Sequence, residues 1–169
     1  MKRIKNAYLS DSDIVRIVET YSDMLLRIAL NRVRSIPAAE DIVQGVFERL
    51  MRRRPAFENE EHEKAWLIRV AVNLCLSDLR DDSRRGEIPL DEDIAQSCGE
   101  DSFEVIEAVH TLPVPDRYAV YLYYYEGYSI KEIGQLLKEP EGTVSSRLSR
   151  ARKKLRTILE GGAHGRQIQ

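Results

Sequence analysis

The sequence predicts an all-α protein made of two small helical domains joined by a flexible acidic linker. Three observations lead there. No stretch of the 169 residues sustains the apolar/polar alternation and β-branched enrichment of a strand, whereas apolar residues recur at helical spacing along most of the chain. Breaks carrying proline or glycine divide that pattern into short helices. Between Asp81 and Phe103 large apolar residues thin out, Gly86, Pro89 and Gly99 enter, and 2 Lys+Arg stand against 8 Asp+Glu, the composition of a solvated connector. The expected organisation is a first domain over 1–80, a linker over 81–103, a second domain over 104–160 and a frayed tail over 161–169.

Composition excludes several classes. With 43% hydrophobic and 32% charged residues and no apolar run near the ~18 residues of a membrane span, the chain reads as globular with no membrane insertion. Met1-Lys2-Arg3-Ile4-Lys5-Asn6 is basic but leads into no apolar core or small-residue cleavage site, so a cytoplasmic location is expected. Cys75 and Cys98 lack CxxC spacing, and His62, His110 and His164 are scattered, so neither a metal nor any other cofactor is expected. No glycine-rich phosphate loop or Ser/Cys/His constellation points to an enzyme, and no catalytic residue is assigned. The net charge of −2 conceals a segregation: residues 1–80 carry 14 Lys+Arg against 12 Asp+Glu and residues 104–169 carry 10 against 8, so the acidity sits in the linker. Cations then gather at Arg52-Arg53-Arg54 and along Arg147, Arg150, Arg152, Lys153, Lys154 and Arg156, where a phosphate backbone could be met.

The first block begins near Ser10, a suitable N-cap, and runs to about Arg80 with breaks at Ser35-Ile36-Pro37 and Arg54-Pro55. From Pro37 onward Ile42, Val43, Val46, Phe47, Leu50 and Met51 share one face, with Asp41, Gln44 and Glu48 on the other. Taken alone, this is an ordinary amphipathic helix. The next helix, about Lys64 to Arg80, is apolar on two sides, through Leu67, Val70, Ala71 and Leu74 and through Ile68, Val72, Leu76 and Leu79, and is expected to be largely buried. Its remaining stripe of Trp66, Arg69, Asn73, Ser77 and Arg80 combines an aromatic ring, an amide and cations, which suits unpaired bases beside a phosphate backbone. A tryptophan packing anchor is the competing explanation for Trp66. The segment Phe57 to Glu63 before this helix is expected to be an acidic loop.

The second block contains breaks at Leu112-Pro113-Val114-Pro115 and Glu126-Gly127-Tyr128-Ser129, leaving four short helices. Ser129-Ile130-Lys131-Glu132 has the pattern of a capping box, in which a hydroxyl and a carboxylate three residues on satisfy each other's orphan amides. Ile130, Ile133, Leu136 and Leu137 face a core, and Lys138-Glu139-Pro140 ends that helix because a residue preceding proline avoids the helical region. A last helix restarts at Glu141, with Val144, Leu148, Ala151, Leu155 and Ile158 as its apolar stripe. The opposite face carries Gly142, Ser146, Ser149, Arg150 and Lys153, flanked by Ser145 and Arg147. Two helices joined by a tight turn, the second with small hydroxyls beside long cations, form a helix-turn-helix that reads duplex DNA in the major groove. A merely solvated charged face is the ordinary alternative; the coincidence of capping box, short break, matching stripe and hydroxyl-rich face favours DNA.

The segment from Gly127-Tyr128-Ser129-Ile130-Lys131-Glu132-Ile133-Gly134 through Gly142-Thr143-Val144-Ser145-Ser146-Arg147-Leu148-Ser149-Arg150, after a Leu112-Pro113 start, resembles region 4 of bacterial sigma factors of the extracytoplasmic-function type. The string from Asp41 through Gln44 to Phe47 resembles the Asp-x-x-Gln-x-x-Phe of sigma region 2. Trp66 through Asn73, with Asp78-Leu79-Arg80 and Arg84-Arg85, resembles regions 2.3 and 2.4. The resemblance covers about residues 10–80 and 104–159, in the family's order. It implies an alternative sigma factor that binds core RNA polymerase and directs promoter-specific initiation. Asp41, Gln44, Phe47 and Glu48 would clasp the β′ coiled coil. Trp66, Arg69, Asn73, Ser77, Arg80, Arg84 and Arg85 would hold the single-stranded −10 element, with the Phe57–Glu63 segment shaping a base pocket. Thr143, Ser145, Ser146, Arg147, Ser149, Arg150 and Lys153 would read the −35 duplex while nearby surface meets the β flap. The resemblance further implies an anti-sigma factor as partner. Ser145 stands where relatives often have Lys or Arg, and Gly45 where they often have Glu. Two rivals are a free-standing helix-turn-helix regulator, disfavoured by the Asp41/Gln44/Phe47 string and the Trp66 stripe, and a sigma-like sequestering protein, disfavoured by the basic face around Arg150.

Overall fold

The computed structural model describes residues 8–77 and 100–165; Arg80, Arg84, Arg85 and nearly all of the expected linker lie outside the described residues. Every regular element among the described residues is helical. Contacts divide the chain into two units, 1–88 and 89–169.

In the first unit, α1 (Asp11–Leu30), α2 (Ile36–Arg53) and α3 (Glu60–Ser77) pack against one another. α1 starts at Ser10, whose Oγ accepts from Asp13 N at 3.2 Å while Ser10 N donates to Asp13 Oδ2 at 3.1 Å, so two orphan amides are satisfied at once. Pro37 sits at the start of α2, where its missing N–H has no intrahelical role. α2 ends at Arg54, whose left-handed backbone (φ 40°) lets its N–H reach Leu50 O at 2.8 Å. The Arg54 guanidinium then ties this end to the start of α1, through Leu9 O at 3.0 Å and Asp11 Oδ1 at 2.6 Å. The core is built from Ile17, Leu25 and Ile28 of α1, Val46 and Leu50 of α2, and Leu67, Ile68 and Val72 of α3, each contributing roughly 1.5–3 kcal/mol by burial. α3 buries Leu67 and Ala71 of one expected side and Ile68 and Val72 of the other, while Val70, Leu74 and Leu76 are half-buried and Leu79 lies outside the described residues; the helix begins at Glu60, four residues before the expected Lys64. Asn59 explains the earlier start, since its Oδ1 accepts from His62 N at 2.8 Å as an N-cap does.

In the second unit α4 (Glu100–His110), α5 (Val114–Val120) and α6 (Ile130–Leu137) pack on α7 (Glu141–Gly165). α7 runs past Gly161, so part of the tail expected to fray is helical. Tyr118, Leu122, Ile133, Val144, Leu148 and Ala151 form the core. α5 continues into a π-helical turn over Tyr121–Tyr125, in which Glu126 N donates to Tyr121 O, five residues back, at 3.1 Å. Tyr121 stacks on Tyr125 with centroids 5.1 Å apart and its hydroxyl donates to Glu126 Oε1 at 2.7 Å, while Tyr123, Tyr124 and Tyr125 stay exposed. The capping box at Ser129 forms as its pattern predicts, with Ser129 N donating to Glu132 Oε2 at 2.8 Å and Glu132 N to Ser129 Oγ at 3.3 Å.

Candidate polymerase and nucleic-acid interfaces

The tight turn between α6 and α7 sets the geometry of the helix-turn-helix. Lys138 adopts a left-handed backbone (φ 55°), Glu139 N donates to Gly134 O at 2.9 Å, and Pro140 O receives Thr143 N at 2.9 Å to start α7. The approach is so close that a Cβ on Gly134 would lie 2.8 Å from Glu139 O. With Val144, Leu148 and Ala151 buried, the far side of α7 presents Gly142, Ser146, Ser149, Arg150 and Lys153, all exposed, with Ser145 exposed and Thr143 half-buried at the margins. Small hydroxyls between cations leave room for a groove edge and supply donors to bases and phosphates.

Two of the cations in this run are bonded to other parts of the unit. Arg147, expected on the DNA-facing flank, donates from Nε and Nη2 to the two carboxylate oxygens of Glu139 at 2.9 and 2.8 Å and from Nη1 to Asp116 Oδ1 at 2.9 Å. Its guanidinium is held above its ordinary value, chiefly by the Glu139 hydrogen bonds, with burial opposing and Asp116 adding. Lys154 Nζ donates to Thr111 O at 2.6 Å, closing the end of α4. Arg156 lies only 4.0 Å from Glu160, an exposed pair worth little.

On α2 the expected polar residues Asp41, Gln44 and Glu48 are exposed along one stripe and Phe47 is half-buried beside it. Met51 corrects the sequence reading: expected on the core face, it is 50% exposed and extends the Asp41-Gln44-Glu48 stripe by a further turn. At about 100° per residue Met51 falls beside Gln44 and away from Leu50, so the angular position identifies it where hydrophobicity alone misassigns it.

α3 brings Trp66, Arg69, Asn73 and Ser77 onto one stripe, with Trp66 and Arg69 half-buried and Asn73 and Ser77 exposed. Trp66 meets Phe57 edge-on at 5.8 Å, and Phe57 meets His62 at 5.7 Å, so the segment before the helix is packed onto its first turn. Packing is therefore one role of Trp66. Arg69 Nε is buried with no hydrogen-bond partner, an arrangement that costs about 1–3 kcal/mol unless an acceptor arrives. Of the four acids expected in a loop, Glu60, Glu61 and Glu63 lie in the first turn of α3, where carboxylates suit the positive end of the helix dipole. Glu63 does not reach solvent: it is buried and takes both Arg16 Nη1 at 3.0 Å and Nη2 at 2.6 Å, fastening α3 to α1. The basic run at the end of α2 also divides, since Arg54 is spent on Leu9 and Asp11 while Arg52 and Arg53 are exposed.

Among the described residues no helix is long and apolar enough to cross a membrane. The family model for Sigma-70 region 2 matches residues 17–85, and that for Sigma-70, region 4 matches residues 102–155. The chain is 30% identical over 180 aligned positions to the ECF RNA polymerase sigma factor SigW of Bacillus subtilis, covering 94% of this chain and 95% of that protein. It is 33% identical to the ECF RNA polymerase sigma factor SigM of Mycobacterium tuberculosis, over 80% of this chain and 71% of the relative. The fold is similar to that of the sigma factor RpoE crystallised with the anti-sigma factor NepR from Bartonella quintana, with a TM-score of 0.71, 24% identity and coverage of 88% and 98%. It is also similar to that of CnrH in complex with the cytosolic domain of CnrY, with a TM-score of 0.68, 22% identity and coverage of 90% of each chain. Two helical units carrying region 2 and region 4 in order, matched along nearly the whole length of a sigma factor, place the chain in the ECF family of RNA polymerase sigma factors, as an alternative, non-catalytic factor that directs transcription initiation.

Proposed function

We propose that the two units divide promoter recognition between them, in the cytoplasm, as follows. The exposed stripe Asp41, Gln44 and Glu48 of α2, with Phe47 beside it and Met51 at its end, docks on the β′ coiled coil of core RNA polymerase. The α3 stripe holds the non-template strand of the −10 element: Asn73 and Ser77 offer hydrogen bonds to base edges, Arg69 offers the positive charge of a half-buried guanidinium, and the exposed part of Trp66 offers a ring edge. Arg80, Arg84 and Arg85, outside the described residues, belong to the same proposal as phosphate contacts. α7 enters the −35 major groove with Ser145, Ser146, Ser149, Arg150 and Lys153, Thr143 meeting the backbone at its start, while the second unit also meets the β flap. An anti-sigma factor covers the polymerase-docking faces when the protein is held inactive.

The observation that carries this reading is the outward face of α7, hydroxyls and cations opposite the buried Val144, Leu148 and Ala151, in the same chain as the polar face of α2. Promoter opening follows from binding: a protein with higher affinity for the single-stranded −10 element than for its duplex shifts the melting equilibrium by that difference. The test is run-off transcription on fragmented genomic DNA with core polymerase, with and without the chain, followed by mapping of RNA 5′ ends. New starts sharing two spaced upstream elements are expected. Core binding without new starts would point to a sequestering protein, and duplex binding with no core binding to a free-standing regulator.

A further inference from the structure

The helix-turn-helix has a clasp on its flank. Arg147 of α7 faces two carboxylates that come from different parts of the unit: Asp116 in α5, 31 residues away, and Glu139 in the turn between α6 and α7. Asp116 is 4% exposed, so its carboxylate has little access to water, and Glu139 accepts a two-pronged bond that fixes the guanidinium plane. The arginine stays 20% exposed at its side chain, against 6% for Asp116 and 25% for Glu139, so the clasp lies at the edge of the DNA-facing surface. An arginine already bonded at Nε, Nη1 and Nη2 has few donors left to offer a phosphate.

We propose that Arg147 is a positioning residue for promoter recognition, which sets the rotation and height of α7 against α5 and the α6–α7 turn and so determines which base edges Ser146, Ser149 and Arg150 reach. The inference rests on the reading of α7 as the −35 helix. The fork of three bonds is the means: burial of the apolar stripe is non-directional, whereas bidentate geometry tolerates little rotation. The Glu139 end also acts on the turn itself, because Glu139 N is bonded to Gly134 O and Glu139 O lies against Gly134.

The test uses holoenzyme reconstituted with the full chain and a promoter obtained from mapped start sites. Affinity is measured at several salt concentrations for that promoter and for copies substituted in the −35 element, with the wild type, R147Q, R147K, D116N, E139Q, D116N/R147Q and R150A. R147Q, R147K and D116N are each expected to lower the preference for the cognate −35 element about fivefold or more, the size of a lost base-pair reading, with an unchanged salt slope. The double variant is expected to be no worse than the poorer single variant. A residue that only stabilised the fold would weaken all promoters alike and leave the preference intact, which overturns the proposal; E139Q, at a half-exposed position and still able to accept hydrogen bonds, keeps this comparison available if D116N unfolds the unit. Near-normal binding by R147K together with a salt slope shallower by about 0.9 in R147Q identifies a direct phosphate contact and overturns it too. If R150A binds like the wild type, α7 is not the reader and the proposal falls with that reading; if R150A weakens binding while D116N and R147K do not, the proposal falls alone.

Discussion

Replacing Gly45 and Gly134 by alanine, one at a time, applies the same chemical change to two helix interiors with different surroundings. In both, alanine removes about 1 kcal/mol of the conformational cost that glycine imposes on a helix. At Gly45 the new Cβ meets Leu74 Cδ1 at 3.5 Å, an ordinary contact, so the gain is kept and the first unit is stabilised by roughly 0.5–1 kcal/mol. At Gly134 the new Cβ lies 2.8 Å from the backbone carbonyl of Glu139, about half an ångström inside normal carbon–oxygen contact. Glu139 has little freedom to move away, because its N–H is bonded to Gly134 O and its carboxylate to Arg147. Overpacking against a fixed backbone costs roughly 1–3 kcal/mol, which exceeds the helix gain and leaves the second unit destabilised by about 1 kcal/mol. The chain's single tryptophan, Trp66, reports the first unit by fluorescence, and amide exchange over Ile130–Leu137 reports the second. G45A is expected to raise the fluorescence midpoint by about 2–8 °C and G134A to speed exchange in α6. Slower exchange in α6 for G134A, a stabilisation like that expected of G45A, would show that helix propensity and not Glu139 O governs position 134.

Breaking the Arg16–Glu63 pair from its two ends should be unequal: Arg16→Ala strands a buried carboxylate and costs about 2–3 kcal/mol, whereas Glu63→Gln leaves a half-exposed arginine that water can serve and costs less, in urea titrations followed at Trp66. Asp41→Ala with Gln44→Ala should lower core-polymerase affinity in a pull-down or anisotropy titration while the unfolding free energy from urea titration stays within about 0.5 kcal/mol of wild type, since both side chains are exposed. Arg150→Ala should weaken promoter binding by roughly 1–3 kcal/mol if it reads a base edge, without loss of core binding. Acid should selectively loosen α6. The Ser129 hydroxyl and N–H hold the Glu132 carboxyl below the usual glutamate range. The depressed group therefore stabilises the fold fully above the unfolded-state value and loses that contribution as pH falls through the lower folded value. The stability difference between wild type and Ser129→Ala should thus be constant from about pH 5 to 8 and shrink below about pH 4, by denaturant titration at each pH.

The helices were legible because their signals are local. Ser10 with Asp13 and Ser129 with Glu132 are capping pairs three residues apart, Pro37 marks a start, and Val144, Leu148 and Ala151 repeat at helical spacing. All of these act within about one turn, so the amino-acid order contains both partners. The outward positions of Asp41, Gln44, Glu48, Asn73, Ser146, Ser149 and Arg150 followed from the same periodicity. The π-helical turn over Tyr121–Tyr125 had no such signal, because consecutive tyrosines do not distinguish a bond to the fifth residue from one to the fourth.

By itself, then, the order of residues determined the all-helical class, the main breaks, the caps at Ser10 and Ser129 and most of the faces, since those depend on neighbours a few positions away. Only the tertiary structure decided what each long charged side chain does. Arg147 is bound to Asp116, 31 positions away, Arg16 to Glu63 across 47, Lys154 to Thr111 and Arg54 to Leu9 and Asp11, while Arg150, Lys153, Arg52 and Arg53 remain exposed. A cation on a flexible stem goes to whichever carboxylate or carbonyl the fold brings within reach of its charge, and that proximity is created by packing between helices distant in sequence.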